Sequence, residues 1–294
     1  MSRGNGPWPS PHPEDNGNHL DNQSSSEFKD EPVMITAGLD IGHQSVKGII
    51  LADRQIIRHI TLKLSGEVDA SAKIACERLL TEARLQPSQV GRVFATGIER
   101  EKVSIADGHR TEMLCHLKGA HRLFPGARTV IDLGAEGIRV LRGDAEGNLR
   151  DFMMNDKCAA GTGRSLEVMA NLLQVRLEDI GPLSLAWTGE PLKISNTCVV
   201  FAKTEVLSLR RRGVPLNQIL AGLCDGIAEQ VKGLIRRLGL EEEWVISGGI
   251  SKNIGVVKRL EEKLGVKAQI CFEPQIVGAV GAALFAAAFS KKEF

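Results

Sequence analysis

Residues 33–52 read VMITAGLDIGHQSVKGIILA, and this stretch decides the fold class. An apolar run of β-forming residues leads to Asp40, and a turn containing Gly42, Ser45 and Lys47 leads into a second apolar run. The pattern predicts a hairpin. Its glycine turn lets the backbone approach phosphate oxygens closely, Lys47 supplies positive charge, and Asp40 can hold Mg²⁺ through water. A glycine-turn hairpin is also common without a ligand, so both interpretations stay open at this point.

An internal repeat favours the phosphate-binding interpretation of this hairpin. Residues 128–137 read RTVIDLGAEG, which is again a β-forming run followed by an aspartate, an apolar residue and a glycine. Asp132 takes the place that Asp40 has in the first copy. Two such copies predict two similar β-hairpin domains that face one another, each with a phosphate loop, and one nucleotide between them.

The composition divides the chain further. Gly, Pro, Asn, Ser and Asp dominate residues 1–32, and too few apolar residues are present to offset the entropy of ordering, so a disordered leader is predicted. Residues 33–127 are predicted as the first half of the folded part and residues 128–274 as the second. A helix of small residues, 275–290, is predicted to pack back on the first half.

Two segments present a cysteine beside small or polar residues. Residues 155–164 read NDKCAAGTGR around Cys158, and residues 195–202 read SNTCVVFA around Cys198. Each is predicted as a turn that enters a helix, where backbone N–H groups point outward and favour an anionic ligand. Thiolates held there could bind a metal. Two thiolates complete neither a tetrahedral zinc site nor an iron–sulfur cluster, so a second chain would supply the other ligands. The alternative is that both cysteines are small buried apolar residues.

Two other segments bear on a nucleotide site. A predicted strand over residues 244–247 opens into Gly248 and Gly249 before Asn253, which permits close contact with an adenosine, although a plain strand-to-helix turn fits equally well. Residues 112–123 are predicted as a helix in which His116 is solvated or satisfied within the helix.

The composition excludes several classes of function. The chain has 294 residues, of which 43% are hydrophobic and 25% charged, and its net charge of +1 gives no electrostatic reason to expect nucleic acid or membrane binding. No apolar run approaches the roughly 20 residues needed to cross a bilayer, and no signal peptide is visible, so a cytoplasmic location is predicted. The six cysteines are too sparse for a disulfide scaffold.

The motifs carry a resemblance to known proteins. Four segments resemble motifs of the acetate and sugar kinase, heat-shock ATPase and actin superfamily. The motifs for the first phosphate site, the second phosphate site, adenosine and the hinge correspond, in that order, to residues 40–47, 132–137, 247–253 and 278–284. More narrowly, residues 155–164 and 198–206 resemble the ATPase components of benzoyl-CoA reductase and the activators of 2-hydroxyacyl-CoA dehydratases.

The resemblance implies an α/β fold with two ribonuclease-H-like halves and a nucleotide in the cleft between them. It implies ATP, Mg²⁺ and a [4Fe-4S] cluster shared across a dimer interface, with Cys158 and Cys198 as this chain's ligands. ATP hydrolysis would drive low-potential electrons, donated by ferredoxin, to the catalytic subunits of a benzoyl-CoA reductase. The partner across the interface would be a homologous ATPase subunit, with a heterodimer favoured over a homodimer.

The same resemblance implies a set of site residues. Those implied for catalysis are Asp40, Asp132 and Glu136. Those implied for ATP binding are Gly42, His43, Gln44, Ser45, Lys47, Gly134, Ala135, Gly161, Thr162, Gly163, Gly248, Gly249 and Asn253.

This chain departs from the family pattern in both phosphate loops. The hydrolytic loop of the family commonly reads Asp-Ile-Gly-Gly-Gln-Asp, whereas residues 132–137 read DLGAEG and lack the Gln that would orient the attacking water. Either Glu136 substitutes or the chain hydrolyses ATP weakly. His43 stands where a Ser or Thr commonly donates to phosphate. Because such divergence suits one member of an unlike pair, the reductase is preferred, with a homodimeric dehydratase activator, a small-molecule kinase of the same fold and a nucleotide-binding scaffold without turnover as alternatives.

Overall fold

The computed structural model describes residues 34–155, 162–195, 198–241 and 243–289. These residues belong to one compact unit. The predicted leader, residues 1–32, lies outside the described residues. Cys158 and Gly161 lie outside them as well. No helix of the described ranges is both long and apolar enough to cross a lipid bilayer.

The first sheet has the strand order β3-β2-β1-β4-β5. Strands β1, β2 and β3 pair antiparallel, and β4 and β5 add parallel to β1. The strands are β1 (Ile35–Ile41), β2 (Ser45–Ala52), β3 (Gln55–Lys63), β4 (Arg92–Gly97) and β5 (Gly108–His109). The second sheet repeats this plan with the order β8-β7-β6-β9, in which β9 is parallel to β6. Its strands are β6 (Thr129–Leu133), β7 (Ile138–Gly143), β8 (Leu149–Asn155) and β9 (Trp244–Ser247).

Helices connect and cover the strands. The helices are α1 (Val68–Ala83), α2 (Glu112–Leu123), α3 (Gly163–Leu173), α4 (Ile180–Leu185), α5 (Val199–Arg211), α6 (Leu216–Leu238), α7 (Ile254–Leu264) and α8 (Val277–Ala288).

The central strands β1 and β6 are buried on both faces, which explains why they read as nearly continuous apolar runs. On the first sheet, Leu39 and Ile41 pack with α1 on the outer face, while Ile49 and Leu51 pack with α8 on the inner face. On the second sheet, β6 and β7 pack with α6 and α7 on the outer face and with α2 on the inner face. Helices α2 and α8 therefore form a layer between the two sheets.

The small residues of α8 allow this layer to be thin. A Cβ atom at Gly38 of β1 would overlap the backbone of α8, and one at Gly281 of α8 would overlap the carbonyl oxygen of Cys115 in α2. The backbones of β1, α8 and α2 are thus in direct contact. Helix α8 packs on β1 and β4, and the division of the chain into two halves stays a prediction.

Candidate nucleotide site between the two sheets

Each of the two sheets contains a hairpin in which an aspartate lies directly opposite a cationic residue on the neighbouring strand. In the first sheet Asp40 is paired with Lys47, and in the second Asp132 is paired with Arg139. The Lys47 Nζ lies 3.4 Å from Asp40 Oδ2, and the Arg139 Nη1 donates to Asp132 Oδ2 over 3.0 Å. Both aspartates are buried on the inner faces of their sheets. The repeat predicted from the two apolar runs therefore extends to the charges, and Arg139 is a site residue that the sequence interpretation missed.

The turns that follow the aspartates are also equivalent. We call residues 42–45 loop 1 and residues 134–137 loop 2. The N–H of Gly42 donates to the Ser45 carbonyl over 3.0 Å, and the N–H of Gly134 donates to the Gly137 carbonyl over 2.9 Å. A Cβ atom at Gly42 would lie 2.7 Å from Lys47 Nζ, so a side chain there would displace the lysine.

A cavity of about 690 Å³ lies between the sheets, within the usual range of small-molecule sites. Most of the predicted site residues line it together. They are Asp40, Gly42, His43, Gln44, Ser45, Lys47, Asp132, Gly134, Ala135, Glu136, Gly163, Gly248, Gly249 and Asn253.

The remaining predicted residues divide into two groups. Thr162 is buried at the start of α3 and is not part of the cavity wall, and Cys198 lies outside the cavity at the start of α5. Cys158 and Gly161 fall outside the described residues. Helix α3 is fixed to loop 2 because the N–H groups of Gly163 and Arg164 donate to the carbonyls of Gly134 and Ala135.

Helix α2 brings two further polar side chains to the cavity floor. Nδ1 of His116 lies 3.1 Å from Ser247 Oγ and 3.6 Å from Asp132 Oδ1, and the residue is only 5% exposed. The prediction that His116 is solvated or satisfied within its own helix is therefore wrong, since its partners lie on β6 and β9. Glu112, one helical turn earlier, accepts from Arg139 Nη2 over 2.8 Å. The signal for both was their spacing of four residues on one helix face.

This charge cluster alters the titration of its members. Burial tends to raise the pKa of the Asp132 carboxyl, but the charges of His116 and Arg139 outweigh it and hold that pKa below its ordinary value. Burial raises the pKa of the Glu112 carboxyl, and the charge of Arg139 offsets that effect only in part. The pKa values of the two carboxyl groups that contact Arg139 are thus shifted in opposite directions. Shifted pKa values of this kind are common at functional sites.

Two side-chain contacts join the walls of the cavity. Nε2 of His43 in loop 1 lies 3.2 Å from Oε2 of Glu136 in loop 2. Gln44, the next residue of loop 1, donates from Nε2 to Glu167 Oε2 on α3 over 2.7 Å.

The segment after β9 forms the far end of the cavity. Gly248 has φ = 87°, and a Cβ atom there would overlap the Leu133 carbonyl, so glycine is required. Asn253 caps α7, because its Oδ1 accepts from the N–H groups of Gly255 and Val256. Its Nδ2 is buried and has no hydrogen-bond partner within the described ranges. Asn253 lines the far end of the cavity, so its side chain is placed close to a ligand bound there.

Cys198 lies in a different environment. It is the N-cap residue of α5, is partly exposed, and is followed by the strongly exposed side chains of Val200 and Phe201. Within the part of the chain that the structure describes, no group of three or more His, Cys, Asp or Glu residues could hold a metal ion.

The comparison with known proteins agrees with this geometry. The sequence profile of the BadF/BadG/BcrA/BcrD ATPase family matches residues 37–286. The chain belongs to this family. Its relatives include proteins named as activators of acyl-CoA dehydratases and a component of benzoyl-CoA reductase.

Three relatives define the level of similarity. The activator of lactoyl-CoA dehydratase from Anaerotignum propionicum is 38% identical over 260 residues, which cover 88% of this chain and 100% of that protein. A benzoyl-CoA reductase component from Thauera aromatica is 34% identical over 271 residues, covering 86% and 93%. The structure of the activator of 2-hydroxyisocaproyl-CoA dehydratase from Clostridium difficile with bound ADPNP superimposes with a TM-score of 0.82 at 36% identity, covering 89% and 98%.

These findings confirm the predicted α/β fold and the ATP-binding, actin-like ATPase architecture of this family. They support the predicted alternative, an activator of a 2-hydroxyacyl-CoA dehydratase, better than the benzoyl-CoA reductase that the divergent loops favoured. The predicted Mg²⁺, iron–sulfur cluster and ferredoxin stay predictions.

Asn253 offers a direct test of the far end of the cavity. Replacing Asn253 with Asp keeps an oxygen that can cap α7 but removes the Nδ2 donor, so we expect unchanged thermal stability and an ATP affinity about 5- to 10-fold lower. Replacing it with Ala removes both groups and should also lower the stability by about 1 kcal/mol. Calorimetric titration with a non-hydrolysable ATP analogue and thermal unfolding measure the two effects. Wild-type affinity in the Asp variant would show that Nδ2 does not contact the nucleotide.

Proposed function

We propose that this chain is the ATP-hydrolysing activator of a 2-hydroxyacyl-CoA dehydratase, to which it delivers low-potential electrons from a [4Fe-4S] cluster. The observation that carries the ATPase part is the pair of equivalent loops across one cavity, each beside a buried carboxylate–cation pair. The relatives named as dehydratase activators support the choice of partner.

The residues of the cavity fit a nucleotide triphosphate. Loops 1 and 2 turn tightly on glycines, which brings their backbones close to a bound phosphate chain, and Lys47 lines the cavity beside loop 1. Asp40 and Asp132 fit a magnesium ion held through water, because Mg²⁺ prefers carboxylate oxygens and retains part of its hydration shell. When bound, Mg²⁺ neutralises charge on the phosphates.

The position of the nucleotide would couple hydrolysis to the relative orientation of the two sheets. A triphosphate that contacts both loops holds the sheets in one arrangement, and loss of its terminal phosphate removes part of those contacts. The sheets are then free to rotate about the layer formed by α2 and α8. Since α3 is hydrogen-bonded to loop 2, this motion also moves α3, and Cys158 precedes α3 in the sequence.

Cys198 fits the role of a cluster ligand. It stands at the N-terminus of α5, where backbone N–H groups favour an anionic ligand set, and its exposed surroundings leave room for a second chain. A [4Fe-4S] cluster takes four thiolates, so two chains that each provide Cys158 and Cys198 complete it. When bound, the cluster supplies a one-electron carrier at the surface where the two chains meet.

The iron content of the purified protein tests this proposal. We expect about four iron atoms and four sulfides per dimer after anaerobic purification, and almost complete loss of both in Cys158→Ser and in Cys198→Ser. The matched control is Cys76→Ser on α1, at the outer face of the first sheet, which should keep the iron. A protein that binds ATP but never contains iron would contradict the electron-activator proposal and favour the small-molecule kinase.

The ATPase component of a benzoyl-CoA reductase remains the second candidate because loop 2 reads Ala135-Glu136-Gly137, which suits one member of an unlike pair. The two candidates differ in the acceptor of the electrons. With reduced ferredoxin and ATP, an activator should switch on the activity of an inactive 2-hydroxyacyl-CoA dehydratase component. A reductase component should instead support only the reduction of benzoyl-CoA. Activation of the dehydratase component by the chain alone would exclude the need for an unlike partner.

A further inference from the structure

The two positions at which the loops depart from the family pattern contact each other. His43 follows the turn glycine of loop 1, and Glu136 occupies the place of the expected Gln in loop 2. Their side chains lie 3.2 Å apart across the cavity, between Nε2 and Oε2. Two departures that looked independent in the sequence thus form one pair in the folded protein.

This pair is poorly suited to a purely stabilising role. Both side chains are substantially exposed, 37% for His43 and 43% for Glu136, and exposed ion pairs contribute little to stability because water screens them. The walls of the cavity are also joined elsewhere, by the hydrogen bond from Gln44 to Glu167. Closure of the cavity therefore has a second contact that does not involve Glu136.

The geometry instead leaves Glu136 ready to act on a ligand. His43 contacts one carboxylate oxygen, Oε2, while Oε1 has no partner among the residues that the structure describes. Glu136 projects from loop 2 into the cavity, and the contact with loop 1 limits the rotamers that it can adopt. A carboxylate held in this way can accept a hydrogen bond from a water molecule placed between the two loops.

We propose that Glu136 orients the attacking water during ATP hydrolysis and that His43 is the positioning residue that holds Glu136 across the cavity. This inference rests on the proposed ATPase function. The water oxygen forms a bond to the γ-phosphorus while the bond between the γ-phosphorus and the β–γ bridging oxygen breaks. The electron pair of the broken bond stays on that oxygen and leaves with ADP. The proton lost by the water passes through Oε1 of Glu136 to solvent, so the products are ADP, inorganic phosphate and one proton. Because loop 1 supplies the positioning residue, the water is oriented only when both loops are close together.

A double-mutant cycle on the complete anaerobic protein with its co-purifying partners tests the pair. We expect kcat for ATP hydrolysis to fall about 100-fold in Glu136→Ala and about 10-fold in His43→Ala, and the double variant to be no slower than Glu136→Ala alone. His43→Gln, which retains a donor, should recover part of the rate. The affinity for a non-hydrolysable ATP analogue, measured by calorimetry, should change less than about threefold in all of them.

Glu167→Ala provides the matched control. This variant removes the other contact across the cavity without touching Glu136, and we expect a clearly smaller loss of kcat than in His43→Ala. A loss of kcat as large as that of His43→Ala would show that the pair only holds the cavity closed. Losses that multiply in the double variant, or a matching loss of analogue affinity, would also overturn the positioning role. A wild-type protein that binds the analogue but does not hydrolyse ATP, alone or with partners, would overturn the proposed function as well.

Discussion

Replacing Asp132 with Asn is expected to lower ATP turnover by a factor of about 100 to 1000. The side chain keeps its shape and can still accept a hydrogen bond from Arg139, but the negative charge between Arg139 and His116 is lost. The cavity then carries additional positive charge, and a carboxylate that faces the phosphates is missing. Steady-state ATP hydrolysis, compared with binding of a non-hydrolysable analogue, separates the loss of catalysis from a loss of affinity.

The same substitution changes the response of stability to acid. Since the pKa of Asp132 is lowered in the folded protein, its carboxylate stabilises the fold above the ordinary aspartate pKa of about 4, and this contribution is lost as the pH falls through the folded pKa. Acid unfolding of the Asn variant should lack that part of the pH dependence.

Asp151→Asn is the matched control for this experiment. Asp151 lies on β8 of the same sheet, its side chain is 54% exposed, and it forms an ion pair with Arg142 away from the cavity. We expect wild-type turnover from it. An Asp132→Asn variant that is folded and hydrolyses ATP at the wild-type rate would exclude loop 2 from the hydrolytic site.

Replacing Gly281 with Ala is expected to destabilise the protein by about 3 kcal/mol, although it adds a single methyl group. The added Cβ would overlap the carbonyl oxygen of Cys115 in α2, and neither backbone can yield without separating the two helices. A change of this size corresponds to a fall in the melting temperature of about 6 to 12 °C, which thermal unfolding by circular dichroism would measure. ATP turnover should fall as well, because α2 carries Glu112 and His116 into the cavity.

Gly233→Ala is the same substitution in a different environment. Gly233 lies within α6, and a Cβ atom there would meet no atom within 4 Å, so the change should stabilise the helix by about 0.5 to 1 kcal/mol. Opposite signs for the two variants would demonstrate that close backbone contact, rather than helix propensity, sets the requirement at Gly281. Equal stability of Gly281→Ala and the wild type would contradict the direct contact between α2 and α8.

The sequence by itself determined the two hairpins. Their β-forming runs, the aspartates Asp40 and Asp132 and the glycine turns are local features, since each strand follows from its own composition and each turn from residues that are neighbours in the chain. The repeat of this pattern was sufficient to predict two facing sheets with a nucleotide cavity. Even Arg139 could have been predicted, because it follows Asp132 at the same spacing at which Lys47 follows Asp40.

Only the tertiary structure decided how the charges of the site are distributed. His116 was assigned to its own helix because its helical neighbours are the only partners that a sequence reveals, yet it contacts Ser247, which is 131 residues away. His43 and Glu136 are two separate departures from the family pattern in the sequence, and only the packing of the sheets brings them into contact. The physical reason is the same in each case: these contacts depend on the packing of α2 and α8 between the sheets, and local sequence patterns specify strands and helices but not the distance at which two sheets meet.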